Sequence, residues 1–188
     1  DHHYSPASAQ THVCRVTTKW FGFRRILKKS NRVIDTVELS LPDHSYESQA
    51  VWMRVPQSTK ISVESSSRYS FRGGLHAAGH ALLNVVPLFI LCNQSDLASE
   101  CSNPNDRRHV PERILIYEPR PGGNGISRKV QPLFSEMLTI ALELLTSCHC
   151  SGAAGCPNCT QSLTCPEYNE VLHKEAAIII VKGVLDAE

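Results

Sequence analysis

The chain has 188 residues, 41% of them hydrophobic and 20% charged, with a formal net charge of +1. Such a composition supports one domain with a sizeable core and gives no bulk electrostatic argument for binding nucleic acid. The longest apolar stretches, Ala81 to Cys92 (interrupted by Asn84) and Ala176 to Val181, are too short for a membrane-spanning helix. The start, DHHYSPASAQ, has neither an initiator Met nor a basic-then-apolar leader pattern, so a piece of a longer, soluble, intracellular protein is expected.

From the N-terminus, residues 11 to 71 are rich in β-branched and aromatic residues with partial alternation: THVCRVTT, KWFGFRRIL, VIDTVELSL, VWMRV and ISVESSSRYSF. Asn31, Pro42 with Asp43, and Pro56 punctuate them, which predicts an antiparallel β-region. The pattern changes at Leu75, where LHAAGHALLNVVPLFIL predicts a helix ended or kinked near Pro87. Residues 93 to 112 predict a long loop, RILIYE a short buried strand, and PRPGGNG a glycine turn. QPLFSEMLTIALELLTS, with Pro132 at the first helical position, is apolar on nearly every face and predicts a buried helix. A last amphipathic helix is expected from about Asn169 to Leu185. No internal repeat is visible. The predicted class is α+β: one domain over 1–188, with a β-rich part at 11–71 and a helical part at 75–188.

Between the last two helices, CHCSGAAGCPNCTQSLTC places Cys148, Cys150, Cys156, Cys159 and Cys165 within eighteen positions, while Cys14, Cys92 and Cys101 are scattered. With no secretory context, this is not a disulfide framework. Cys156 and Cys159 enclose Pro157 and Asn158 as a knuckle whose thiolates can turn toward one ion, and closed all-thiolate tetrahedra are structural zinc sites. Redox chemistry would need a thioredoxin-like strand and helix around C-x-x-C, and the flanks here are Gly, Ala, Ser and Asn. Zinc is therefore expected, ahead of unligated structural thiols or an iron–sulfur cluster, on four of the five. In an extended segment Cys148 and Cys150 would point to opposite sides, so Cys148 or Cys165 is the candidate to be left out. His149 or His173 could take the place of either.

His76 and His80, four apart on a helix, share a face as in zinc proteases, but Ala77 stands where the general base would be. Packed, hydrogen-bonded helix histidines are the expected reading. Gly122, Gly123 and Gly125 lie between a strand and a helix, the position of a phosphate loop, yet Lys129 is not followed by Ser or Thr and the spacing is not met. Those glycines are expected to serve a turn with positive φ, and no ATP site or nucleophile elbow is recognisable.

The stretch CRVTTKWFGFRRILKKSNR holds Arg15, Lys19, Arg24, Arg25, Lys28, Lys29 and Arg32 without an acid, interleaved with Trp20, Phe21 and Phe23. Basic residues can neutralise phosphates while an aromatic stacks on a base. The competing expectation is a strand pair with a packed apolar side and a solvated basic side.

Taken in order, L-H-A-x-x-H-A-L, I-Y-E-x-x-P-G-G-x-G, C-x-C, G-C-P-x-C-x-Q-S and C-x-x-x-N-x-x-L-x-K resemble the C-terminal zinc-binding domain of MrfA-type and Hrq-type DNA repair helicases. The resemblance covers essentially the whole chain. Glu118 stands where that family usually has Asp, and the Ser-Gly-Ala-Ala-Gly spacer before Cys156 is longer. It implies a non-catalytic accessory domain of an ATP-dependent 3′-to-5′ DNA helicase, with RecA-like motor domains, and the bound ATP, upstream. Zinc would be held among the five clustered cysteines. DNA, single-stranded or forked, would be the partner, and the compartment nuclear or cytoplasmic, with the nucleus favoured. The alternative is a structural brace docking on the motor without DNA contact.

Overall fold

A computed structural model describes residues 8–20, 22–30, 32–100 and 112–188. Cys101, Phe21, Asn31 and most of the expected loop at 93–112 lie outside the described residues. Four strands form an antiparallel sheet in the order β1-β4-β6-β5: β1 (Gln10–Thr18), β4 (His44–Arg54), β6 (Arg113–Tyr117) and the two-residue β5 (Ala98–Ser99). The register pairs Val13 with Gln49 and Trp52 with Leu115. β2 (Gly22–Ile26) and β3 (Val33–Glu38) form a separate two-stranded hairpin. The α+β class is as expected.

β4 is central, and its alternation carries the core: Val51, Met53 and Val55 face the helices and Ile114 and Ile116 join them from β6. Against this face lies α2 (Phe71–Phe89), capped at its start by Ser70, whose hydroxyl accepts from the Gly73 N–H at 3.0 Å. It begins four residues before the predicted Leu75 and ends at Phe89, with Pro87 in its last turn, so it ends near that proline as expected. Burial of α2 extends round most of its circumference, because the sheet, α4 (Phe134–Ser147) and α5 (Lys174–Asp186) all pack on it. Among the described residues no helix is long and apolar enough to cross a membrane.

Three expectations need correction. Residues 57–64, read as strand from Ile61, Val63 and their polar neighbours, form helix α1 (Gln57–Glu64). Thr59 and Val63, four apart, are buried in the packing of α1 on α5, and that tertiary contact outweighs the β-propensity of Ile and Val. α4 begins with a 3-10 turn at Gln131–Leu133 and buries a stripe of Phe134, Met137, Leu138, Ala141 and Leu145 rather than every face. α5 starts at Lys174 instead of Asn169, since Tyr168, Asn169 and Val171 hold left-handed φ of 53°, 58° and 55°. A short helix α3 (Ile126–Val130) follows the glycine turn.

Candidate metal centre

The cysteine loop is built from the two helices it joins. Cys148 is the C-cap of α4, its N–H bonded to the Leu144 carbonyl at 3.2 Å, and its extended backbone turns the chain out of the helix. Residues 152–155 then reverse direction through a Gly155 N–H to Gly152 carbonyl bond of 2.9 Å, with Gly155 at φ +76°. At the knuckle the Cys156 carbonyl accepts from the N–H groups of Cys159, Thr160 and Gln161 at 3.0, 3.1 and 3.1 Å, which curls Cys159 back over Cys156.

The sulfurs of Cys148, Cys150, Cys156 and Cys159 consequently lie within 4.8 Å of one another. Three edges of the cluster measure 3.5 Å (Cys148–Cys156), 3.8 Å (Cys150–Cys159) and 3.7 Å (Cys156–Cys159). A tetrahedron with metal–sulfur bonds of about 2.3 Å has edges of about 3.8 Å, so the cluster has the size a tetrahedral thiolate ion requires. Segment 148–150 is unpaired, so the strand alternation that separated Cys148 from Cys150 does not apply and both sulfurs turn inward. Cys165 is not in this set. His149 is exposed, and His173 is committed elsewhere: its Nδ1 caps α5 by accepting from the Ala176 N–H at 3.2 Å, and its Nε2 donates to the Arg68 carbonyl at 3.0 Å.

Four thiolates around a divalent ion carry a net charge of −2, and the loop is supplied with donors to match. Lys174 at the start of α5, buried to 8% exposure, donates from Nζ to Cys150 Sγ at 3.3 Å and to the Cys148 carbonyl. The Cys156 N–H points at Cys159 Sγ at 3.3 Å. Burial works against the Lys174 charge, but the Cys150 hydrogen bond and the neighbouring thiols more than offset it and raise its pKa. Hydrogen bonds from the Cys150 backbone and the Cys156 thiol lower Cys148 to about 7, whereas burial pushes Cys159 up to about 11. Lys174 is a residue sequence reasoning missed; its signal was the Lys nine residues after Cys165 in the last motif.

α2 is tied to the same loop. Asn84 Nδ2 donates to the Cys159 carbonyl at 3.2 Å and His80 Nδ1 donates to the Thr160 carbonyl at 2.7 Å. His76 Nδ1 donates to the Val171 carbonyl at 3.3 Å, its Nε2 lies 3.5 Å from Cys165 Sγ, and the two rings meet edge to face with centroids 4.3 Å apart. Burial lowers the pKa of both, that of His80 to about 4.

The glycine turn proves to be filled from within. Glu118, fully buried, accepts the N–H groups of Gly125 and Asn124 on one oxygen and that of Ser127 at 2.8 Å on the other, with Gly125 at 3.0 Å. Gly122, Gly123 and Gly125 hold φ of 76°, 76° and 83°, which aims these amides at one point. A phosphate cradle is thus occupied by the chain's own carboxylate. Burial raises the Glu118 pKa, but the donated N–H groups dominate and the net shift is downward.

The basic side chains of the stretch at 14–32 are all exposed. Arg15 sits on β1 opposite Glu47; Lys19 pairs with Asp43 at 3.6 Å, Arg24 with Glu170 at 3.5 Å, and Arg25 with Asp35 across the hairpin. Lys28 and Lys29 form the hairpin tip, closed by the Leu27 N–H to Arg32 carbonyl bond of 2.9 Å. Trp20 is 60% exposed, and Phe23, Ile26, Leu27, Val33 and Ile34 are exposed with it, so these described apolar side chains are not packed against the core.

Residues 78–160 match the family model of the MrfA Zn-binding domain, from within α2 between His76 and His80 to the end of the knuckle. The chain is 30% identical over 188 residues to the ATP-dependent helicase hrq1 of Schizosaccharomyces pombe, an alignment taking in 91% of this chain but 17% of that protein. It is 29% identical over 113 residues to the Methanocaldococcus jannaschii protein MJ1572.1, covering 59% of this chain and 99% of that protein. Its fold is shared with a crystal structure of the helicase MrfA bound to DNA, with a TM-score of 0.55 at 22% identity over 94% of this chain and 22% of that one. Zinc is the metal of this domain, and the chain spans about a sixth of the fission-yeast helicase it matches.

Proposed function

We propose that this chain is a non-catalytic accessory domain of an ATP-dependent 3′-to-5′ DNA repair helicase of the nucleus, and that it guides a DNA strand; the match of residues 78–160 to the MrfA Zn-binding domain and the similarity to hrq1 support this reading. Zinc is held by Cys148, Cys150, Cys156 and Cys159. The metal supplies cross-linking and charge: it fixes the turn between α4 and α5, while Lys174 offsets part of the thiolate charge and Asn84 and His80 hold α2 to the loop. The nucleotide and the motor belong upstream, in keeping with a glycine turn whose anion site is taken by Glu118.

Strand guidance rests on one observation, the β2–β3 hairpin separate from the main sheet, with Lys28 and Lys29 exposed at its tip and Trp20 exposed at its base. Arg24 and Arg25 are poorer probes of it, since both already pair with acids. Anisotropy titration of a single-stranded oligonucleotide should show affinity falling by about 0.7 log units per log unit of salt for each phosphate neutralised. Lys28→Glu with Lys29→Glu should reduce both affinity and slope, and Trp20→Ala should cost about 1–3 kcal/mol of binding, with zinc content and fold retained. A second reading is favoured by the exposed Ile26, Leu27, Val33 and Ile34 on the same hairpin: a brace docking on the motor. DNA binding unchanged in the tip variant would decide for the brace.

A further inference from the structure

The four-sulfur cluster leaves three metal-ligating side chains together that it does not use. His76 and His80 from α2, both buried, and Cys165, half-buried in the segment after the knuckle, place a ring nitrogen, a ring nitrogen and a sulfur within 4.8 Å of one another. We propose that His76, His80 and Cys165 form a second metal site, for a borderline divalent cation of the zinc type, distinct from the thiolate cage and beyond the role proposed above for the domain.

The hydrogen bonding fixes which atoms are available. A carbonyl can only accept, so Nδ1 of His80 must donate to the Thr160 carbonyl and Nδ1 of His76 to the Val171 carbonyl. In the neutral ring that leaves the lone pair on Nε2, and the carbonyl partner is the arrangement that orients a metal-bound imidazole and raises its basicity. The Nε2 of His76 faces Cys165 Sγ at 3.5 Å, close to the edge of a tetrahedral N–metal–S unit. Two imidazoles and one thiolate suit zinc over magnesium or calcium, and three protein ligands leave one tetrahedral position for water or an external group.

The surrounding backbone is arranged about His76. Cys165 is held by a turn in which Asn169 bridges Ser162 twice, accepting from its N–H at 2.7 Å and donating to its carbonyl at 2.9 Å. Val171, whose carbonyl receives His76, has φ +55°, a conformation β-branched residues avoid. Strained backbone of this kind persists where its surroundings over-determine it, as a ligated His76 would. On the sequence alone the missing general base at Ala77 pointed away from metal; the third ligand comes instead from eighty-five residues further on, which no local motif reveals.

Zinc titration of the whole chain, followed by native mass spectrometry and peptide-resolved alkylation, tests this site. The expected result is two zinc per chain, the second equivalent protecting Cys165 from iodoacetamide, and Cys165→Ser reducing the count from two to one while the four cage cysteines stay protected. His76→Asn should do the same. If either variant unfolds, cobalt titration of the unaltered chain decides: the second equivalent should show thiolate-to-metal charge transfer of about a quarter the intensity per ion, one sulfur against four. Saturation at one ion with Cys165 still alkylated, or a second ion unaffected by both substitutions, would overturn the proposal and leave Cys165 and His76 as a thiol–imidazole hydrogen bond.

Discussion

The cysteine loop and the glycine turn solve one problem in opposite ways. Both gather like groups at a point where they cannot stay without a counterpart: four thiols in the first, the N–H groups of Asn124, Gly125 and Ser127 in the second. In the turn the counterpart is Glu118, part of the chain and present whenever it folds. In the loop the counterpart has to arrive from solution. The first region is therefore conditional on metal and the second is not, although both adjoin helix ends.

Removing the metal should produce the largest effect. Structural zinc binding is worth on the order of 10–16 kcal/mol in isolated zinc-finger peptides at neutral pH, and that free energy is folding free energy. Strong chelation, or Cys156→Ser or Cys159→Ser, should expose amides from Ser147 to His173 to hydrogen exchange and loosen the start of α5, which Lys174 ties to the loop. Amides of residues 118–127 should exchange as before. Equal loss of protection in both regions would mean that the turn, too, depends on the metal.

Glu118→Ala inverts the experiment. It leaves three N–H groups without an acceptor, costing about 2–4 kcal/mol in urea denaturation, less than the full sum because water reaches Asn124 and Gly125. Glu118→Gln keeps one accepting oxygen and should cost about half of that. Zinc stoichiometry should be unchanged in both. The pH dependence has a definite sign: the folded pKa of Glu118 lies below its unfolded value of about 4.3, so its contribution is present above that value and lost as pH falls through the folded pKa. The Gln variant should lack this acid-sensitive part, and an unaltered acid limb would show that Glu118 is not its source.

What the sequence revealed follows the range of the forces involved. The α+β order, β6, the helical core and the cysteine cluster are set by local periodicity and spacing and were legible. Which cysteine stands apart was not, because alternation was reasoned as for a strand and 148–150 pairs with none. Residues 57–64 misled through the β-propensity of Ile61 and Val63, which packing against α5 overrides. The partners of His76 and His80, and the role of Glu118, depend on contacts between segments far apart in the chain. The hairpin's basic character was evident, but its detachment from the main sheet was not.

The smallest effect in this comparison concerns one glycine from each region. Gly155 and Gly122 both have φ +76°, so replacing either by Ala meets the same left-handed penalty of about 1 kcal/mol. Their surroundings differ. A Cβ on Gly122 would meet nothing within 4 Å, whereas one on Gly155 would lie 2.0 Å from Thr160 Oγ1. That hydroxyl donates to the Ala154 carbonyl at 2.6 Å and lies 3.9 Å from Cys159 Sγ, so it cannot move without disturbing a proposed ligand's neighbour. Gly122→Ala should therefore cost only the backbone term, and Gly155→Ala about 1–2 kcal/mol more, with a matching loss of zinc affinity in competition with a chromophoric chelator. If the two variants are equally stable and bind zinc equally well, Thr160 has room to rotate, and the cage is held by its metal and by Lys174 rather than by the packing of the loop.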